Sequence, residues 1–326
     1  MIITRTPLRI SLGGGGTDLP SYYTRREGFV LAGAIDKYVF IGINRTFGDD
    51  YTIKYSSMEH AATIDEIRHP IVREVMAKHQ VPPAIEVISL ADIPAGTGLG
   101  SSGTFTVGLL RAIYALRREH VTAGDLAEEA CHIEIERLAQ SVGKQDQYIA
   151  SFGGLTCFDF RRDGTVESYP LLLSDTTLHD LEENLAMFFT GYSRQATEVL
   201  SDQRRRSEQG DEAMLDNLDS IKALGFSIKK ALEQGETHLF AELMHEHWVH
   251  KRERSAGISN TRIDHWYDVG MANGALGGKL IGAGAGGFLL FYAKDRLALR
   301  RAMAEEGLSE VRFTFDHEGS QLIVRA

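Results

Sequence analysis

Three glycine-rich stretches punctuate the chain: ISLGGGGTDLP at residues 10–20, DIPAGTGLGSSGTF at 92–105 and GGKLIGAGAGGFLLFYA at 277–293. Glycine has no Cβ, so a cluster of it marks backbone that a ligand or a second backbone approaches closely. What comes that close at each place constrains the fold more than any other feature. The middle stretch lies between the strand-like AIEVISL and TFTVGLLRAIYALRR, where Phe105, Leu109, Ile113 and Leu116 recur at helical spacing. Strand, glycine loop and helix N-terminus together hold phosphate, because unpaired N–H groups and the positive end of the helix dipole face the loop.

Two familiar phosphate loops do not fit. Gly98, Gly100 and Gly103 satisfy GxGxxG, but a dinucleotide fold also needs an acid about 20 residues on, at the end of a second strand. That distance falls in REHVTAGDL, between two helical patterns. A Walker loop needs a lysine before its serine, and Ser101-Ser102 has none. Phosphate binding by another scheme is the expectation. The third stretch, taken alone, fits tight helix-to-strand packing as well as it fits a ligand loop. Between the second and third lie Glu134, on a helical pattern spanning 125–139, and Asp146, twelve residues later. Carboxylates can ligate magnesium or accept a proton, and phosphoryl transfer to a hydroxyl uses both.

The net charge of −10 argues against a nucleic-acid partner, which calls for a large basic face. A small phosphate can still be held by backbone N–H groups and local cations such as Arg5, Arg9, Lys37, Lys144, Arg194 and Lys251. No apolar run approaches the ~20 residues of a membrane span, and MIITRTPLRI lacks a signal-peptide core. Cys131 and Cys157 are the only cysteines, which suits a reducing compartment. A cytoplasmic protein with neither nucleic-acid nor membrane partners is expected. MHEHWVHKR, residues 244–252, gathers three histidines, but the residue four beyond His245 is Val249, so the HExxH zinc spacing is absent. Lys144, two residues before Asp146, is a candidate neighbouring cation for it.

Residues 1–12, FVLAGAIDKYVFIGINRTF, AIEVISLADI, a segment ending YPLLL and LAMFFTG have strand character. Long helical patterns cover about 195–234 and 237–251. The change of pattern near residue 165 suggests two domains, 1–165 and 166–326.

The three stretches, in this order and with the acidic pair between the second and third, resemble the GHMP kinases. That superfamily's first motif aligns with PLRISLGGGGTD, its second with PAGTGLGSS and its third with KLIGAGAGG, so the likeness spans nearly the whole chain. TPLRISLGGGGTDLP, VGKQDQYIASFGGL and GGKLIGAGAGGF look most like the heptose 7-phosphate kinases of bacterial surface-glycan synthesis, with fucokinase domains next nearest, so the alternatives are a fucokinase-like kinase of a free sugar and a non-catalytic sugar and ATP sensor on the same fold. The resemblance implies an α+β fold of two domains, the first with a left-handed βαβ unit and the second ferredoxin-like. It also implies direct phosphoryl transfer from ATP with Mg2+ to a sugar phosphate, and it leaves a homodimer open.

Residue by residue, the resemblance gives Gly96, Gly98, Gly100, Ser101 and Ser102 to the ATP phosphates, and Ser102 and Glu134 to magnesium. Asp146 is implied as the base and Arg9 as the cation on the transferring group. Gly14, Gly15, Gly16, Thr17, Asp18, Gly153 and Arg194 are implied for the acceptor, with Asp18 on sugar hydroxyls. Galactokinases carry Glu-His where this chain has Gly15-Gly16, a departure that leaves room and exposed N–H groups for a more anionic sugar. Backbone donors of that loop are therefore expected to cradle part of a sugar phosphate.

Overall fold

In the computed structural model, which describes residues 1–191 and 196–325, the apolar N-terminal segments become strands. The first half contains β1 (Ile2–Gly13), α1 (Pro20–Arg26), β2 (Gly28–Arg45), β3 (Tyr51–Lys54), β4 (Met58–Ala61), α2 (Pro70–Lys78) and β5 (Ile85–Ala91). It continues with α3 (Ser101–Arg117), α4 (Ala123–Cys131), α5 (Gln145–Phe152), β6 (Leu155–Phe160) and β7 (Val166–Pro170). Then follow α6 (Asp175–Asn184), β8 (Leu185–Gly191), α7 (Ala196–Glu208), α8 (Glu212–Glu233) and α9 (Thr237–Arg254). The chain ends through α10 (Thr261–Ala272), β9 (Ala275–Ile281), β10 (Gly287–Ala293), α11 (Arg296–Glu305), β11 (Ser309–Glu310) and β12 (Gln321–Arg325).

The larger sheet runs β12-β1-β2-β5-β3-β4, with β6 and β7 branching from β2. FVLAGAIDKYVFIGINR forms one long strand because its two halves have different neighbours: residues 28–33 pair with β6 and residues 39–45 with β5. β3 and β5 are parallel, joined through β4 and α2. The smaller sheet has the order β11-β8-β10-β9 and is antiparallel throughout. With helices between β8 and β9 and between β10 and β11, this is the βαββαβ arrangement of a ferredoxin-like unit.

A division at residue 165 falls in the turn of the β6–β7 hairpin, whose strands bond to each other in the larger sheet. β12 also returns to that sheet, beside β1. The pattern change near 165 marks a tight turn, and the sheets instead part after Pro170 and rejoin at Gln321. The helical pattern of 195–234 breaks at Gly210, and the Asp211 side chain caps α8 by accepting from Met214 N. The pattern of 125–139 holds to Cys131 and then widens into a π-helical turn at His132–Arg137.

β1 sits at the meeting point. α3 and α5 pack on it, and so do α8 and α9 from beyond the smaller sheet's first strand. Successive side chains of a strand face opposite ways. Leu8, Ile10 and Leu12 enter the hydrophobic core, while Arg9 and Ser11 line a cleft on the other face.

Candidate active site

Arg9 reaches the cleft fully supported. Its Nε donates to Asp146 Oδ1 at 2.8 Å and its Nη1 to the carbonyl of Gly98 at 2.6 Å. One guanidinium thus ties the first glycine stretch's strand to the second stretch and to the first turn of α5. Arg9 is 5% exposed, whereas the Asp146 side chain keeps 26% and so stays open to a ligand. The cation beside Asp146 is therefore Arg9 and not Lys144, which turns away to bond both oxygens of Glu128, at 2.8 and 3.0 Å, and the carbonyl of Gly164.

The second stretch connects β5 to α3, with Pro94, Ala95 and Gly96 exposed. Gly100 takes a left-handed conformation (φ 79°) at the N-cap of α3, where, having no side chain to cap the helix, it leaves the first amides available. Ser101 and Ser102 open the helix. The Ser101 Oγ is buried without a partner among the described residues. Ser102 Oγ donates to Glu134 Oε1 at 2.5 Å, and Glu134 also accepts from Thr106 Oγ1 at 3.0 Å and from Gln147 Nε2. Burial pushes the Glu134 carboxyl up to about 7 against the pull of those donors, and the charge of Asp146 adds to the rise. The third stretch divides its work: Gly277 and Gly278 pack β9 against α9 and Phe291, while Gly282 docks on the second stretch. A Cβ on Gly282 would lie 2.6 Å from Gly98 Cα, so the two loops form one wall only because neither residue has a side chain.

The first stretch answers its own glycines differently from the expectation. Gly16 (φ 98°) faces Arg254 of α9, and a Cβ there would overlap Arg254 Nη1. Gln203 Nε2 donates to the Gly16 carbonyl at 2.8 Å, and Arg254 Nη1 donates to Gln203 Oε1 at 2.9 Å and reaches the Gly15 carbonyl at 3.4 Å. The Gly16 N–H goes to Asp18 Oδ1 and the Thr17 N–H to the Gly14 carbonyl. The Gly15 carbonyl thus faces a cation, and the Gly16 and Thr17 amides are bonded within the loop.

Gly14 and Thr17 shape the turn, through Thr17 Oγ1 donating to Gly14 O and Phe29 O, both at 2.8 Å. Asp18, fully buried, lines the cleft with Gly15 and Gly16 and accepts from the Gln145 backbone and side chain at 3.1 and 3.2 Å. Burial raises the Asp18 carboxyl above its ordinary value; the Gln145 N–H opposes the rise and nearby Asp146 adds to it. Gly153 is not part of the cleft: it caps α5 and packs on Gly319, seven residues and about 10 Å along the helix from Asp146. Arg194 lies outside the described residues.

Sequence reasoning named Arg9 and Lys251 as local cations for a phosphate but missed Arg254 and Lys279, which complete a buried group with them. The cleft, with about 690 Å³ of space between protein atoms, part of it open to solvent, is lined by Arg9, Lys251, Arg254 and Lys279 against Asp18 and Asp146. Lys251, Arg254 and Lys279 are 5, 6 and 2% exposed and bond no carboxylate among the described residues. Lys251 Nζ donates to the carbonyls of Leu280 and Gly282 at 2.8 and 2.5 Å, and Lys279 Nζ reaches the Leu12 carbonyl at 3.3 Å. His247 lies with them, both ring nitrogens without a partner among the described residues. Desolvation and mutual repulsion bring Lys279 down to about 7 and Lys251 well below its ordinary value. Burial takes Arg254 down to about 10, with Asp18 pulling the other way. His247 is likewise pushed far down by burial and by Lys279, Lys251 and Arg254, so its ring is neutral. Arg252 instead pairs with Asp264 at 3.0 Å. No group of three His, Cys, Asp or Glu side chains placed to hold a metal ion occurs among the described residues.

Comparison with known proteins matches residues 67–154 to the GHMP kinases N terminal domain and residues 228–308 to the GHMP kinases C terminal region. D-glycero-alpha-D-manno-heptose 7-phosphate kinase of Campylobacter jejuni is 30% identical over 98% of this chain and 97% of its own. The bifunctional fucokinase/GDP-fucose pyrophosphorylase of Arabidopsis thaliana is 25% identical over 89% of this chain and 29% of its own. Among solved structures, a D-glycero-D-manno-heptose 1-phosphate kinase from Bacteroides thetaiotaomicron superposes with a TM-score of 0.83 at 24% identity, covering 100% of both chains.

Proposed function

The chain belongs to the GHMP kinase family, and from that premise we propose that it phosphorylates the anomeric hydroxyl of D-glycero-D-manno-heptose 7-phosphate to give the 1,7-bisphosphate. It is a phosphotransferase with an alcohol group as acceptor, and the phosphate donor of its family is ATP. The carrying observation is the Arg9–Asp146 pair beside Gly100, where both side chains come within 3.2 Å of the place a Cβ would occupy. Proton acceptor, cation and phosphate loop are thereby held around one point. The full-length likeness to the Campylobacter jejuni enzyme supports the heptose 7-phosphate acceptor.

In this reading the α3 amides and the Gly96–Ser102 loop hold the ATP phosphates. Asp146, oriented by Arg9, accepts the proton of the attacking hydroxyl, and Arg9 offsets charge growing on the transferred phosphoryl group. Ser102 and Glu134 offer neighbouring hydroxyl and carboxylate oxygens, the hard donors magnesium takes alongside substrate phosphates. The ion would supply neutralisation of phosphate charge there. The transfer is direct and requires no covalent enzyme intermediate.

The test is ATP turnover with magnesium against D-glycero-D-manno-heptose 7-phosphate, mannose 6-phosphate, fucose, galactose and mevalonate, with products read by phosphorus NMR. A new anomeric phosphate on the heptose 7-phosphate is the expected result. Turnover on fucose or galactose alone would overturn the acceptor and keep the mechanism.

A further inference from the structure

We propose that Lys251, Arg254 and Lys279, with His247, form a subsite for a phosphate group already carried by the acceptor, and that this subsite selects phosphorylated over free sugars. The inference deepens the sugar-phosphate kinase reading and rests on it. Burying an unpaired charge is costly, and cations brought together repel as well. The chain, at net charge −10, has carboxylates in excess, yet none bonds these three among the described residues. Four basic side chains and two carboxylates line the cleft, a surplus of two basic groups whose positive charge a bound anion favours. A phosphate monoester carries about −1.5 to −2 at neutral pH, which matches that surplus.

Placement sets Arg254 and Lys279 on the first glycine stretch, away from the α3 N-terminus. Arg254 contacts the Gly15 carbonyl and Lys279 the Leu12 carbonyl, both on the first glycine stretch, whereas the second stretch opens the α3 N-terminus. Lys251, on the third stretch's carbonyls, lies between the two regions. Unpartnered polar atoms point to a ligand: among the described residues Arg254 Nε and both His247 ring nitrogens are buried without a partner. A neutral His247 donates one N–H to a phosphate oxygen, while the lysines and the guanidinium supply charge-assisted bonds. Gly16 belongs to the same device, since its missing Cβ is what admits the Arg254 guanidinium.

The experiment compares D-glycero-D-manno-heptose 7-phosphate with the same heptose lacking phosphate, in the wild-type protein and in Lys279→Met and Arg254→Met. Each variant is expected to raise KM for the sugar phosphate about 10- to 100-fold, the range of one hydrogen bond to a charged group. KM for ATP should stay within about threefold, and Lys279→Met should melt at or above the wild-type temperature because a buried unpaired charge is removed. A parallel rise in KM for ATP would assign the cations to the donor and overturn the proposal. So would an unchanged preference between the two heptoses. A binding arm separates this from the kinase reading: mannose 6-phosphate should raise the melting temperature of wild type and of Asp146→Asn alike, but not of Arg254→Met. If no acceptor turns over while that pattern appears, the subsite stands and the catalytic reading fails; if Arg254→Met is protected as well as wild type, the subsite fails.

Discussion

Gly16→Ala tests how the first glycine stretch works. At φ 98° an alanine is strained by about 1–2 kcal/mol. Its Cβ also takes the place of Arg254 Nη1, which cannot move into solvent because Arg254 is 6% exposed. Displacing the guanidinium removes its 2.9 Å bond to Gln203, worth about 1.5–3 kcal/mol for a charged donor. The sum is a loss of about 2.5–5 kcal/mol, or roughly 5–10 °C in melting temperature at about 2 °C per kcal/mol for a chain of this size. Gly15→Ala is the control: its Cβ has only Ser11 Oγ nearby, at 3.0 Å, its φ is not positive, and less than about 1 kcal/mol is expected. Thermal and urea unfolding of both variants read the difference. In the double variant Gly16→Ala/Arg254→Met the two losses should fall short of additive, because one clash and one bond are shared. If Gly16→Ala melted with Gly15→Ala, the account of the loop as a seat for Arg254 would be wrong.

Asp146→Asn should lower kcat by at least about 100-fold while leaving ATP binding near normal, measured by steady-state kinetics and calorimetry; a near-normal rate would move the base elsewhere. Glu134→Gln should raise the magnesium concentration needed for half-maximal turnover, and an unchanged magnesium titration would remove Glu134 from the metal's ligands. The acceptor step should weaken as pH rises above about 7, where Lys279, surrounded by Lys251, Arg254, Arg9 and His247, loses its proton in the free protein. Since a bound phosphate raises that lysine's pKa, binding at pH 8 takes up protons, visible as a buffer-dependent heat; kcat/KM flat from pH 7 to 8.5 would refute this.

How legible the site was in the sequence depended on how far each contact reaches. Gly98, Gly100, Ser101 and Ser102 were readable because strand, loop and helix N-terminus are consecutive, so local order fixes where their amides point. Glu134 and Asp146 were readable as candidates through their acidity and their place between the glycine stretches. Local spacing misled where direction matters: Lys144 and Asp146 are two apart at a helix start, a separation that does not place side chains together. Gly153 closes the same segment as Asp146 but lies two helical turns away. No periodicity or spacing ties Lys279, inside an apolar strand, to Arg254, at the end of a basic helix turn resembling a solvated surface. Their role arises only when α9 and β9 close on β1, and the signal that could have found them is Lys279 itself, a charge within GGKLIG where a buried strand tolerates none without a purpose. The same closure explains the departure at Gly15-Gly16: with Arg254 seated against Gly16, the loop helps to build a basic end of the cleft on the first glycine stretch. An acceptor carrying phosphate at that end would bring its reacting hydroxyl toward Asp146, so discrimination among acceptors and positioning for transfer follow from one set of contacts.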